Sequence, residues 1–215
     1  MSGCTSTTSL LQSIRGRPES ELGQMLHRLD EIVGKPPPLP PLPALHHGPE
    51  PLRVALGVEG MTSRRRVNAA VARQLTEHHL EHSYPGCKRV YTDGSVRPSD
   101  GSSTAAVVLE DGRRSLSGKL GFYASSTTAE LAALGLAVAA LVHIGDTAED
   151  PVSWVICSDS RAALTRLAEL ERAPPLARRV AMTAGRLSEQ GHCLNFQWGQ
   201  AHCGIGGNEA ADTLA

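Results

Sequence analysis

Hydrophobic positions change their spacing several times along this chain, and each change marks a candidate element. The pattern is sharpest from position 87. Residues 87–93 read as a strand ending at Asp93-Gly94-Ser95, 104–109 as a second strand, and 114–122 as an alternating third. Asp111-Gly112 supplies the hairpin turn between the last two. Ser126, Thr127 and Thr128 cap a long apolar helix over 129–142. A continuous apolar run at 154–157 predicts a buried strand ending at Ser158-Asp159-Ser160, followed by a helix over 161–171. Pro174-Pro175 opens another helix that runs to Ser188, and Gly191 ends it. Residues 193–198 alternate as the last strand, which feeds a glycine-rich loop at His202 and then a helix begun by Asp212. Three strands in a meander followed by alternation predict an α/β fold. Its expected sheet is mixed and five-stranded, with the first three strands antiparallel and helices flanking it.

The first 85 residues differ in texture. Residues 1–34 are polar, with one weak helical stripe over 20–33 (Leu22, Met25, Leu26, Leu29, Val33). Residues 35–51 form a proline-rich linker, expected as polyproline II and best read as a stiff spacer, with a PxxP ligand at 36–43 as the sharper reading. Residues 52–85 read as a connector with a short apolar run and a helix over 63–82. Arg64-Arg65-Arg66 at its start opposes the helix dipole and reads first as a solvated charge run. His78 and His82 stand one turn apart, but no matching third and fourth ligand makes a zinc site of them. The remaining stretch, 86–215, is the expected folded domain, C-terminally short.

Composition narrows the function. Aromatics make up 3 % of the chain, so a core must rest on Leu, Val and Ala. Net charge is −1, and from position 86 onward twelve basic residues face fourteen acidic ones. A nucleic-acid binder usually shows a basic face, so phosphate contacts here would need metal or a neighbouring domain. Five scattered cysteines without CxxC point to reduced thiols inside a cell. No secretory signal and no transmembrane span are expected, the apolar run 131–144 being short for a bilayer.

The acids stand out on this frame. Asp93 and Asp159 fall at the C-terminal ends of two predicted strands, where ligands gather in open α/β sheets. Glu130 sits at the start of an otherwise apolar helix, and Asp212 at the last helix. Each alone has an ordinary explanation as a turn, a cap or a first-turn acid. Together they make a cluster whose mutual repulsion a divalent cation would relieve. Two such ions about 4 Å apart can stabilise both oxygens of a phosphoryl displacement.

Four segments carry a resemblance: Tyr91-Thr92-Asp93-Gly94-Ser95, Thr128-Ala129-Glu130-Leu131, Cys157-Ser158-Asp159-Ser160, and His202 through Asp212. In this order and spacing they resemble type 1 ribonuclease H, and Gln197 to Asp212 resembles the ribonuclease H domains of non-LTR retrotransposon polyproteins. The resemblance implies a ribonuclease H-like fold and hydrolysis of the RNA strand of an RNA–DNA hybrid, leaving a 3′-hydroxyl and a 5′-phosphate. It implies two Mg²⁺ ions, with Mn²⁺ as a substitute, held by Asp93, Glu130, Asp159 and Asp212. It gives His202 a part in proton movement or product release, and it makes Gly94, Ser95, Thr128 and Asn208 contacts to the hybrid. An upstream reverse transcriptase in a longer polyprotein, no membrane and a monomeric chain are the implied context.

Three departures qualify it. Residues 161–175 leave no room for the basic, tryptophan-bearing protrusion of the bacterial enzymes. Gly199-Gln200 stands where proline is frequent, and the last helix is short past Asp212. Other readings are a catalytically weak ribonuclease H-like remnant that binds nucleic acid or a partner, and an interaction protein acting through 36–43. A Ser or Cys hydrolase is disfavoured, because neither Ser95 nor Cys203 lies in a nucleophile elbow.

Overall fold

The structure, a computed structural model, describes residues 52–61, 67–109 and 114–215. The helix expected over 20–33, the proline-rich 35–51, Arg64-Arg65-Arg66 and the Asp111-Gly112 turn lie outside the described residues. Strands β2 (Lys88–Val96), β3 (Ser103–Leu109) and β4 (Ser115–Lys119) form the antiparallel meander that the alternation predicts. On the other side of β2 lie β5 (Ser153–Ser158) and β6 (Cys193–Trp198), both parallel.

The sheet has six strands rather than five, in the order β1-β6-β5-β2-β3-β4. The extra strand, β1 (Arg53–Ala55), pairs parallel with β6 and comes from the segment expected as a connector. Three residues are too few to show a period of two. The edge of β6, with its unpaired backbone groups, recruits them.

Helix starts follow their caps more than the apolar pattern. Helix α1 (Ala69–Ser83) begins six residues later than expected, because the Asn68 side chain accepts from the Ala70 N–H at 2.9 Å. Helix α2 (Ser126–Gly145) begins earlier, capped by Ser125 rather than by 126–128. It is twenty residues long and apolar enough to match a membrane span in length, longer than the apolar run suggested. Ten of its residues are buried in the core of this domain. Helix α3 (Arg161–Ala168) stops at Glu169, and Leu170–Arg172 continue as one 3-10 turn. Helix α4 (Pro175–Glu189) opens on proline as the sequence predicts. Strand β4 ends at Lys119, short of 122, where it pairs with Thr104; one more bond, from the Leu120 N–H to the carbonyl of Ser103, the first residue of β3, closes the ladder.

The last helix, α5 (Gly206–Leu214), corrects the expectation that Asp212 begins it. Asp212 is its seventh residue, and Gly206-Gly207, read as loop, form its first turn. Packing explains the glycine: a Cβ on Gly207 would stand 2.1 Å from the Tyr91 ring.

Both faces of the sheet centre are covered. Val90, Trp154, Ile156 and Phe196 meet α2, α3 and α4 on one face. Tyr91, Val155 and Cys157 meet α1, Cys203, Ile205 and α5 on the other. Trp154 and Phe196 are among the largest fully buried side chains, each worth roughly 1.5–3 kcal/mol of transfer free energy. Small residues bring the helices close: Ala133 and Ala137 are fully buried on α2, and Gly135 faces Val180 of α4.

Candidate active site

Parallel pairing brings the first two acids level. Thr92 of β2 stands opposite Ser158 of β5, so Asp93 and Asp159, one residue further on, leave adjacent strands side by side. Glu130 arrives from α2. The helix crosses β2 so tightly at Gly94 that a Cβ there would stand 2.3 Å from the carbonyl carbon of Ala129 and the nitrogen of Glu130. Absence of a side chain at Gly94 therefore sets how far Glu130 reaches over the strand end. Asp93, Glu130 and Asp159 each offer a carboxylate oxygen, all within 4.8 Å of one another. Asp93 and Glu130 are buried, and Glu130 Oε2 has no hydrogen-bond partner.

The fourth acid belongs to a second group. Asp212 Oδ2 lies 3.6 Å from His202 Nδ1, and Glu209 joins them within 4.8 Å. Both side chains of the pair are well exposed. His202 has φ +48, a left-handed conformation uncommon outside glycine, followed by Gly204 at φ +86. Charge on Asp212 and His202 is felt at Asp93 and Asp159, so the two groups face one site.

Burial dominates the electrostatics. It pushes the Asp93 carboxyl up to about 6, helped by the charges of Asp159 and Asp212 and opposed by His202 and the Gly94 backbone. Glu130 is pushed up to about 9 by burial first and then by Asp93 and Asp159. Asp159 is also raised, by burial first and by Asp212, with His202 and a hydrogen bond from the Asn208 side chain opposing them. Acids that resist ionisation together, with one oxygen orphaned, suit a hard cation that prefers oxygen ligands. The donor set thus fits a divalent metal.

Order and geometry of these acids agree with one further finding. The family model for RNase H matches residues 87–215. The chain belongs to the RNase H family. No curated protein matches it. Among the described residues its mixed sheet and five helices are an RNase H-like fold, and membership supports nuclease action on RNA–DNA hybrids with a divalent metal.

Other expected residues of this RNase H domain fall into place less uniformly. Gly94 is buried under α2, and Ser95 donates its hydroxyl to the Ala215 carbonyl at 2.6 Å. Thr128 Oγ1 lies 2.8 Å from Ser125 Oγ at the start of α2. Asn208, expected as a hybrid contact, is buried with its side chain bonded to Asp159. His78 and His82 stack at 3.9 Å, and His79 turns to Gln197.

Three residues of the site carry too little sequence signal to be singled out. Trp198 donates Nε1–H to the Asp159 carbonyl at 2.9 Å, and Arg161 lies 4.1 Å over its ring. Glu209 accepts from the Gly204 N–H at 3.0 Å, closing the loop beneath His202. Its place inside the Gln197–Asp212 resemblance and its i,i+3 spacing from Asp212 on α5 are the clues the sequence offers.

Among the described residues, α3 passes through one 3-10 turn and Pro174 directly into α4, with no protrusion between them.

Proposed function

We propose that this chain is a metal-dependent endonuclease that hydrolyses the RNA strand of RNA–DNA hybrids. The observation that carries the reading is the trio of buried Asp93, buried Glu130 with its unpartnered oxygen, and half-buried Asp159, faced by Asp212. These four would hold two Mg²⁺ ions, or Mn²⁺ in their place. When bound, such ions lend positive charge to a phosphodiester and to the water that attacks it. Asp93, which feels the charge of both Asp159 and Asp212, would contribute to holding both ions, Glu130 and Asp159 to one and Asp212 to the other. His202 takes up or gives back a proton at an imidazole nitrogen. Water adds to phosphorus, the bond to the 3′-oxygen breaks, and the products are a 3′-hydroxyl and a 5′-phosphate. Gly94, Ser95 and Thr128 lie along the path of the hybrid, whose 2′-hydroxyls distinguish the RNA strand. Asn208 acts by holding Asp159.

The likeness of Gln197–Asp212 to the non-LTR retrotransposon motif supports an origin in a retroelement polyprotein, with a reverse transcriptase upstream. A net charge of −1 supports reliance on such a neighbour for affinity. The test is cleavage of a labelled hybrid with Mg²⁺ by the chain and by Asp93→Asn. Cleavage that the substitution removes is the expected result. Failure of the parent chain to cut hybrid under any divalent metal, while remaining folded, would reject the reading. Hybrid binding without cleavage would leave the catalytically weak binding module in its place.

A further inference from the structure

Residues 52–85 lie outside the family match, yet the described ones, 52–61 and 67–85, are built into the underside of the site. Helix α1 buries Ala72, Thr76 and Leu80. Ala72 and Leu80 share a cluster with Cys203 and Ile205 of the catalytic loop and Ala211, the residue before Asp212. Thr76 and Arg73 also approach the loop: a Cβ at Gly199 would stand 3.7 Å from Thr76 Cγ2, and one at Gly204 3.7 Å from Arg73 Cδ.

One polar side chain ties this segment to the loop. Gln197, on β6 just before it, is wholly buried. Its Oε1 accepts the Tyr84 hydroxyl at 2.7 Å and faces His79 Nε2 at 3.1 Å. Its amide donates to the Gly57 carbonyl at 2.8 Å and the Trp198 carbonyl at 2.7 Å. Ser83 Oγ lies 3.3 Å from His79 Nδ1, which fits a ring whose proton is on Nε2 and points to Gln197. A buried amide with two donors and two acceptors satisfied costs more to assemble than an aliphatic residue of similar size. Its partners come from the stretch after β1, from α1 and from the residue following α1. The next residue, Trp198, holds the backbone of Asp159.

We infer that Gln197, gripped by His79 and Tyr84, is a positioning residue for the loop of His202 and the helix of Asp212. Residues 52–85 therefore belong to the catalytic unit. Helix α5 is nine residues long and marginal by itself; it rests on β2 and β3, and α1 backs the loop that leads into it. The inference deepens the nuclease reading and rests on it for its effect on rate.

The test uses the full chain with His79→Ala, Tyr84→Phe and both together, followed by amide hydrogen exchange over 199–212 and by hybrid cleavage. The double variant is expected to raise exchange there about tenfold, since an abandoned buried acceptor costs roughly that factor or more. It should lower kcat, leave KM for the hybrid unchanged and raise the Mg²⁺ concentration needed for half-maximal rate, with each single variant between. Asp93→Asn should abolish cleavage and leave exchange over 199–212 unaltered. A lowered melting temperature with unchanged exchange over 199–212 and an unchanged Mg²⁺ requirement would reduce the network to ordinary stabilisation and overturn the inference. If the parent chain does not cleave, the nuclease reading fails by itself, and the exchange measurement still decides the positioning role.

Discussion

Gly94 of β2 and Glu130 of α2 meet backbone to backbone, so close that no Cβ fits between them. A strand and a helix otherwise packed through side chains are here in direct contact, and that contact delivers a carboxylate. Gly94→Ala must push α2 off β2. The expected cost is about 2–3 kcal/mol from overpacking, with loss of cleavage because Glu130 withdraws from Asp93. Gly118→Ala is the control, since a Cβ there meets nothing within 4 Å. Thermal melts of both variants check this, and equal effects would refute the account.

Acidity should govern the metal-free protein in an unusual direction. Glu130 binds its proton more tightly when folded, at about 9 against 4.5. Between these values the native state holds more protons than the unfolded chain, so stability falls as pH rises. Asp93 adds the same sign between 3.8 and about 6. In chelator the melting temperature should therefore decline as pH rises from about 4.5 to about 9. Glu130→Gln should flatten that decline and gain roughly 2 kcal/mol at pH 8, discounted for residual hydration of the site, while abolishing cleavage. A melting temperature that climbs through this window would contradict it.

His202 separates strain from chemistry. Its φ of +48 suits glycine better than histidine, so His202→Gly should stabilise the fold by about 0.5–1 kcal/mol. Cleavage should nevertheless slow by on the order of 10²-fold if the imidazole moves a proton. Melting and single-turnover rates measured together decide it. A faster or unaffected enzyme would remove His202 from the mechanism.

Trp198 connects the strand end to an acid. Trp198→Phe keeps much of the ring but deletes the Nε1–H bond to the Asp159 carbonyl and weakens the stack with Arg161. Stability should drop by about 1 kcal/mol, and kcat should fall several-fold as Asp159 loosens, with binding of uncleaved hybrid in Ca²⁺ unaltered. Weaker hybrid binding would instead place Trp198 in contact with substrate.

Much of the site was legible because its acids sit where local signals are strong. Asp93 and Asp159 each close an apolar strand, and Glu130 is a lone acid in an apolar helix. The role of Gln197 was hidden, because its partners Gly57, His79 and Tyr84 lie more than a hundred residues away. Asn208, expected only as a contact to the hybrid, gets its place from burial and a side-chain bond to Asp159. Gly207 signals a loop by propensity, but the Tyr91 ring beneath makes it the one residue that fits a helix there. Strand β1 is too short to announce itself.

From position 87 the sequence by itself determined the order of elements and singled out the four acids, since periodicity, caps and turn residues act over a few positions. Tertiary structure decided which of those acids come within reach of one another, how deeply each is buried and what lies beneath the His202 loop. Those properties depend on strand register and helix approach, which are set by contacts between distant residues. The 52–85 segment is the clearest case: a connector by local pattern, it becomes an edge strand and a supporting helix because β6 and the loop after it left surface to cover.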